Sequence, residues 1–473
     1  MSNRAELRAK IDAWFDANSD DMIKDLGRLI EINSVRSPAE DGAPYGAESR
    51  AVLSLAQSMI EDRGHKVNVF EDMMITADFG PTPPILGILT HLDIVASGEG
   101  WDTDPLKLVI KDGNLYGRGV IDNKGPSVAA MYAAYCALEL YPELKHGVQL
   151  ILGSGEETGF EDITQYIKKN TLPPNVFTPD AQYPIVNIEK GRFMSVFGAK
   201  WEKDTTLPRI VSITGGKTPN VVPNTSEAVI KGFSISDVEK SCTEFTVKTG
   251  AKFSVVADGD TLTVTAEGIS SHASMPERGN NAQTALIEML VNMPFAKSKS
   301  FEYLCALNRL FPYGDNHGIA LGIDMRDEIA GRITVNFGVL RFSELEFSGT
   351  FDCRSPGCAD DVDLVGMTRS ALEREGIEQT HHDIKGWHHT PEETTFCQKL
   401  LWIYEEYMGE PGKCISMGGL TYVHDVQGGV AFGVAMPDDD NRAHGVNEFI
   451  SIKQLIMSAK MFTLAIIDMC ANE

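Results

Sequence analysis

At 473 residues the chain exceeds the size at which one hydrophobic core stops growing, so two domains are the default expectation. Its composition is that of an ordinary globular protein, and no segment reaches the roughly 18 uninterrupted apolar residues that a membrane span requires. With 42 Lys and Arg against 67 Asp and Glu, the formal net charge of −25 disfavours nucleic acid and anionic membrane surfaces as partners. Eight cysteines are scattered without a Cys-x-x-Cys pair, as expected for reduced thiols, and none lies beside the candidate ligands named below. A thiolate zinc site is therefore disfavoured.

Residues 5–32 alternate charges with Ile11, Trp14, Phe15, Met22, Ile23, Leu26 and Ile30 at helical spacing. That pattern predicts an amphipathic helix rather than a secretory signal, and with it a cytoplasmic location. From about residue 85 to 190, short apolar runs alternate with helical stretches, as in an open α/β sheet with crossover helices. Residues 85–89, 148–152 and 185–188 read as buried strands. Between the first two, Pro126 stands at a plausible first helical position and residues 128–140 continue the helix.

Beyond Gly191 the texture changes to alternating strands, at 209–214, 228–233 and 261–266, so a second domain begins there. Residues 332–353 are again strand-rich, with Ile333, Val335, Phe337 and Val339 alternating, and could mirror the earlier strands as an internal duplication. Near His389 the pattern returns to helix, then to glycine-rich loops at Gly418-Gly419 and Gly428-Gly429, then to a closing helix over 452–469.

Acidic residues and histidines punctuate this frame. His91-Leu92-Asp93 follows the first apolar run, Asp122 lies in a turn before the helix, Glu156-Glu157 follows the second strand, and Asp180 and His444 come later. In open α/β sheets, ligands and metals gather outside the carboxyl ends of the strands, where His91, Asp93, Glu156 and Glu157 fall. A two-metal hydrolase site needs a bridging carboxylate, terminal ligands, and one carboxylate left to take a proton from water. Nitrogen and oxygen donors suit zinc or manganese. Taken singly, each has a plainer reading: the Glu-Glu pair as the first turn of a helix, Asp180 as a turn residue after Pro179, His444 as a loop histidine. Their ordered combination favours the metal site, and if His444 joins the other ligands the second domain is an insertion into the first.

Several motifs resemble those of the M20 metallopeptidases, and within them the dipeptidase V (Xaa-His dipeptidase, carnosinase-like) branch. They are Thr90-His91-Leu92-Asp93 with Gly98-Glu99-Gly100-Trp101, Gly117-Arg118-Gly119-Val120-Ile121-Asp122-Asn123-Lys124-Gly125-Pro126, Gly155-Glu156-Glu157-Thr158-Gly159, and the stretch from Thr178-Pro179-Asp180 to Glu189-Lys190-Gly191. The resemblance implies a zinc-peptidase-like α/β catalytic domain with a mixed sheet flanked by helices, over residues 1–191 and 388–473. It also implies an inserted α+β lid domain over 192–387, built of two ferredoxin-like halves. It implies that His91 and Asp180 bind one metal, Glu157 and His444 the other, with Asp122 bridging. The ions expected are two divalent metals, zinc in the first place and manganese in the second. Asp93 would orient His91, Glu156 would be the general base, His272 would stabilise the oxyanion, and Asn220 and Arg354 would hold the substrate.

The function implied is that of a metal-dependent dipeptidase hydrolysing short peptides, chiefly dipeptides, as a monomer if the lid is duplicated. The alternative is an N-acyl amino acid deacylase of the acetylornithine or succinyl-diaminopimelate type, since the same metals can cleave any such amide. A non-catalytic metal-binding protein is disfavoured by Glu156, a carboxylate that metal binding alone would not need. Arg354 beside Asp352 also reads as a surface ion pair, and His272 as a strand cap. Asn123, Ala96 and His424 depart from the family pattern, where a second Asp, a proline and an arginine are usual.

Overall fold

The apolar run 85–89 forms the interior of a strand, Pro84–His91, buried from Leu86 onward in the computed structural model, which describes residues 2–437 and 439–471. It pairs in parallel with Gly147–Gly153 on one side and with Asn175–Thr178 on the other. A strand with parallel neighbours is covered on both faces, which is why these strands read as continuous rather than alternating apolar runs. From one edge, the sheet runs Val67–Phe70, Met74–Phe79, Gly147–Gly153, Pro84–His91, Asn175–Thr178, Val430–Ala431, Ile185–Glu189.

This sheet belongs to a unit made of Met1–Ile188, His389–Ile415 and Leu420–Glu473. Its helices Lys124–Leu140 and Ile452–Cys470 pack on each other, and Ser2–Ile30 packs on the former. Lys124–Leu140 is buried along most of its length, which accounts for its near-absence of charge. The helix begins two residues earlier than expected, at Lys124, so Pro126 is its third residue. No hydrogen bond is lost, because the first four helical N–H groups have no partner within the helix. The closing helix starts where the Ser451 hydroxyl accepts from the Gln454 amide, an N-cap that fixes its first turn. The helix Ala47–Glu61, the edge strand Val67–Phe70 and its inner neighbour Met74–Phe79 were not foreseen.

The second unit comprises Glu189–His388 and Ser416–Gly419. Its sheet runs Lys252–Asp258, Thr261–Glu267, Thr225–Lys231, Arg209–Gly215, Thr334–Phe342, Glu346–Ser355, Gly191–Lys200, Glu378–Lys385. The same arrangement occurs twice. The hairpin Arg209–Gly215/Thr225–Lys231, the helix Ile235–Thr249 and the edge strand Lys252–Asp258 are matched by Thr334–Phe342/Glu346–Ser355, the helix Leu364–Arg374 and the edge strand Glu378–Lys385. In each half one further strand, Thr261–Glu267 or Gly191–Lys200, lies between the edge strand and the hairpin. The halves join where Ile213 pairs with Phe342 and Gly215 with Leu340. Ser416–Gly419, expected with the catalytic part, groups with this unit instead. The Met417 carbonyl accepts from the Lys190 amide at 2.9 Å and the Gly418 carbonyl from Arg354 Nη1 at 2.7 Å. Among the described residues no helix is long and apolar enough to cross a membrane.

Candidate metal centre

Three neighbouring parallel strands deliver their carboxyl ends to one place. His91 is the last residue of its strand, Glu156 and Glu157 follow Gly153 in the short 3-10 turn Glu156–Thr158, and Asp180 lies just past Thr178. Asp122 lies in the loop before the helix Lys124–Leu140, and the Asp122–Asn123 peptide is cis. The Glu-Glu pair is therefore both things the sequence allowed, the first turn of a short helix and part of an acidic cluster.

Asp122 faces two histidines with its two oxygens. Oδ1 lies 3.0 Å from His91 Nε2, and Oδ2 lies 2.9 Å from His444 Nε2. Asp180 Oδ2 stands 3.5 Å from the same His91 nitrogen, and Glu157 Oε1 is 3.0 Å from His444 Nε2. Two groups with metal-ligand spacing result, His91–Asp122–Asp180 and Asp122–Glu157–His444, sharing Asp122. Glu156 is buried beside them and belongs to neither.

The carboxylate of Asp93 lies 3.4 Å from His91 Nδ1 and accepts the amides of Glu156 and Glu157 at 3.3 and 3.0 Å. One side chain thus touches the imidazole and also the turn that carries both glutamates. On the far side of that turn, buried Asp162 accepts the Ser154 and Gly155 amides at 2.9 Å each and the Tyr422 hydroxyl at 2.5 Å. Gly153 is required here, because a Cβ would fall 2.2 Å from the Tyr422 hydroxyl oxygen. Neither Asp162 nor Tyr422 was singled out from sequence. Their signal is slight, an acid in the first turn of Glu161–Lys169 and an isolated tyrosine.

The loop holding Asp122 is fastened by a second pair that sequence reasoning missed. Arg118 Nη1 meets Glu448 Oε2 at 2.6 Å, and Glu448 Oε1 accepts the Gly119 and Ile121 amides at 3.0 Å each. Arg118 Nη2 also donates to the Gly445 carbonyl at 2.8 Å, next to His444. The departure at Asn123 has a local account. Its Nδ2 donates to Asp180 Oδ1 at 2.9 Å and to the Pro179 carbonyl at 3.1 Å, contacts that an ionised Asp could not make.

Crowding of acids dominates the electrostatics. Burial first, then the charge of Asp180, holds the Glu156 carboxyl well above the usual carboxylate range. Glu157 is pushed up to about 7 by burial and by Asp122. Burial opposes a charged imidazolium at His91 and His444, but the surrounding carboxylates outweigh it, raising His91 well above its ordinary value and His444 to about 11. His91 Nε2 is buried without a hydrogen-bond partner of good geometry. A cluster of four acids with such a nitrogen is suited to positive charge at its centre.

In the second unit, Asn220 and His272 are brought together. The Asn220 carbonyl accepts from the Ala273 amide at 2.8 Å, and Val221 pairs with His272 in an antiparallel bridge. Asn336 clamps this segment through the Pro219 and Val221 carbonyls, at 2.9 and 3.0 Å. Arg354 and Asp352 form a buried fork, Nε–Oδ1 2.7 Å and Nη2–Oδ2 3.2 Å, so the surface ion pair entertained from sequence is corrected. With the bond to Gly418, Arg354 uses three of its five N–H groups. Ala96 is exposed, and His424 is buried in the turn Tyr422–Asp425 of the first unit.

Comparison with known proteins follows the same lines. Residues 87–468 match the model of Peptidase family M20/M25/M40. The chain is 31% identical over 455 residues, covering 95% of itself and 97% of the relative, to "Putative dipeptidase YtjP" of Bacillus subtilis. It is 28% identical over 460 residues to a "Putative dipeptidase" of Staphylococcus epidermidis, with 96% and 97% covered. In fold it is similar to human carnosine dipeptidase 1, with TM-score 0.57, 15% identity and 98% of each chain covered. It is likewise similar to the di-peptidase Dug1p of Saccharomyces cerevisiae, with TM-score 0.55, 13% identity and 97% and 98% covered. Family match, relatives and fold agree: the chain belongs to peptidase family M20/M25/M40 and is a hydrolase acting on peptide bonds.

Proposed function

We propose that the chain is a metal-dependent dipeptidase that cleaves the peptide bond of short peptides, chiefly dipeptides, with a water that two bound divalent ions would activate. The observation that carries this reading is the sharing of Asp122, whose two oxygens face two different histidines. His91 and Asp180 would hold one ion, Glu157 and His444 the other, and Asp122 both. The all-nitrogen-and-oxygen donor set suits zinc first and manganese second. Bound there, such ions polarise the scissile carbonyl and make water a nucleophile near neutral pH.

The remaining roles fall to the protein's own groups. Asp93 orients His91 through Nδ1, and its hold on the Glu156 and Glu157 amides keeps imidazole and turn in register. Glu156, outside both ligand groups, takes the proton of the attacking water and passes it to the leaving amine as the C–N bond breaks. His272 donates a hydrogen bond to the oxyanion. Asn220 holds the substrate, and the two N–H groups that Arg354 does not spend on Asp352 and Gly418 receive its carboxylate. The repeat within the second unit supports a monomer.

The relatives named as dipeptidases favour this reading over an N-acyl amino acid deacylase. The test is hydrolysis of Ala, His and Asp dipeptides beside N-acetyl and N-succinyl amino acids, after metal stripping and separate readdition of zinc and manganese. Turnover confined to dipeptides and dependent on metal is the expected result. Preferential cleavage of acylated amino acids overturns it.

A further inference from the structure

His272 opens a tight turn, in which the Met275 amide donates to the His272 carbonyl at 2.9 Å and the Ser271 hydroxyl to the Met275 carbonyl at 2.9 Å. Within it, Ser274 addresses the imidazole twice. Its backbone amide donates to His272 Nδ1 at 3.2 Å, and its Oγ lies 2.7 Å from the same nitrogen. A main-chain amide has a proton to give and no lone pair to receive one, so Nδ1 must be the acceptor. A neutral imidazole with an accepting Nδ1 carries its proton on Nε2.

The position of Ser274 is itself set by packing. A Cβ on Gly418 would fall 2.3 Å from Ser274 Cβ, so the serine lies directly against the Gly418 backbone. That backbone is the one whose carbonyl Arg354 holds, while Arg354 is held by Asp352. The Ala273 carbonyl accepts from the Thr334 hydroxyl at 3.4 Å, and Thr334 is the register partner of Arg354. Asp352, Arg354, Gly418, Ser274 and His272 thus form one continuous chain of contacts inside the second unit.

We infer that Ser274 is a positioning residue that keeps His272 in its Nε2–H form, so that the ring presents a hydrogen-bond donor, not a lone pair, to the oxyanion. This rests on the oxyanion role proposed for His272. In the other tautomer, Nε2 would turn a lone pair toward the negative oxygen and repel it, and the contact would be lost only where the charge develops. The consequence belongs to kcat rather than KM.

The experiment uses the metal-loaded full chain with 15N-labelled histidine, in wild type, Ser274→Ala, Ser274→Thr and His272→Ala, the last identifying the His272 signal. Wild type and S274T are expected to show an unprotonated Nδ1 and a protonated Nε2. S274A keeps the amide on Nδ1 but loses the shorter hydroxyl contact, and is expected to show a partial shift toward the Nδ1–H form and a several-fold loss in kcat with KM little changed. S274T should restore the rate. A wild-type Nδ1–H ring, an S274A enzyme unchanged in tautomer and kcat, or an S274T enzyme as slow as S274A overturns the inference. An H272A enzyme with wild-type kcat instead overturns the role of His272 itself.

Discussion

Arg118 and Glu448, 330 residues apart in sequence, form a fully buried ion pair at 2.6 Å that ties the loop of Asp122 to the loop of His444. Breaking a buried pair from one side leaves the other charge without compensation, at a cost of about 3–5 kcal/mol. Glu448→Gln is therefore expected to lower the unfolding free energy by roughly that amount and to weaken metal uptake, because the Gly119 and Ile121 amides lose a charged acceptor. Urea unfolding and metal titration check this. A midpoint and an affinity equal to wild type would show that the pair does not hold the loops.

Glu156 is buried beside the ligand groups without belonging to them. Glu156→Ala is expected to keep its bound metal and to lose about 10²–10⁴ in kcat, the usual effect of removing a positioned base. Metal content by elemental analysis and turnover on a dipeptide are measured on the same preparation. Retained turnover counts against the assignment, and lost metal would make Glu156 a ligand.

Sharing of Asp122 predicts that its loss is felt at both positions. Asp122→Ala removes one oxygen from each histidine's surroundings and is expected to lower metal stoichiometry and affinity together, whereas Asp180→Ala should disturb the His91 group more. Equilibrium dialysis against zinc and manganese separates the two variants. Identical binding defects would argue against an unequal division of ligands.

Asp162 offers a pH signature away from the proposed ligands. Burial, with the charge of Asp93 second, pushes its carboxyl up to about 6, from an ordinary value of 3.8. The folded state then binds more protons than the unfolded state between these values, so stability falls as pH rises from about 4 to about 6 and is flat beyond. The whole span is worth roughly 3 kcal/mol. Asp162→Asn should flatten this part of the profile, read as unfolding free energy against pH. A variant profile parallel to that of wild type would assign the slope to other groups.

Local pattern was enough to read the helix Ser2–Ile30, the strands Pro84–His91, Gly147–Gly153 and Ile185–Glu189, the change of texture past Gly191 and the closing helix Ile452–Cys470. It was enough because periodicity and strand ends are encoded within a few residues of one another. The same logic marked His91 and Glu157, since a donor atom just past a buried strand is visible in one dimension, whereas Asp122, Asp180 and His444 stood out only through their ordered combination with these and the family resemblance.

What only the tertiary structure decided are the partners of buried charges. The pairing of Arg118 with Glu448, the anchoring of the Gly155 turn by Asp162 and Tyr422, the burial of Arg354 with Asp352 and the placing of Ser416–Gly419 in the second unit join distant parts of the chain. No periodicity announces such contacts. A charged or hydroxyl group reads alike in sequence whether solvent or another element satisfies it, and packing alone determines which groups lose water and must find each other.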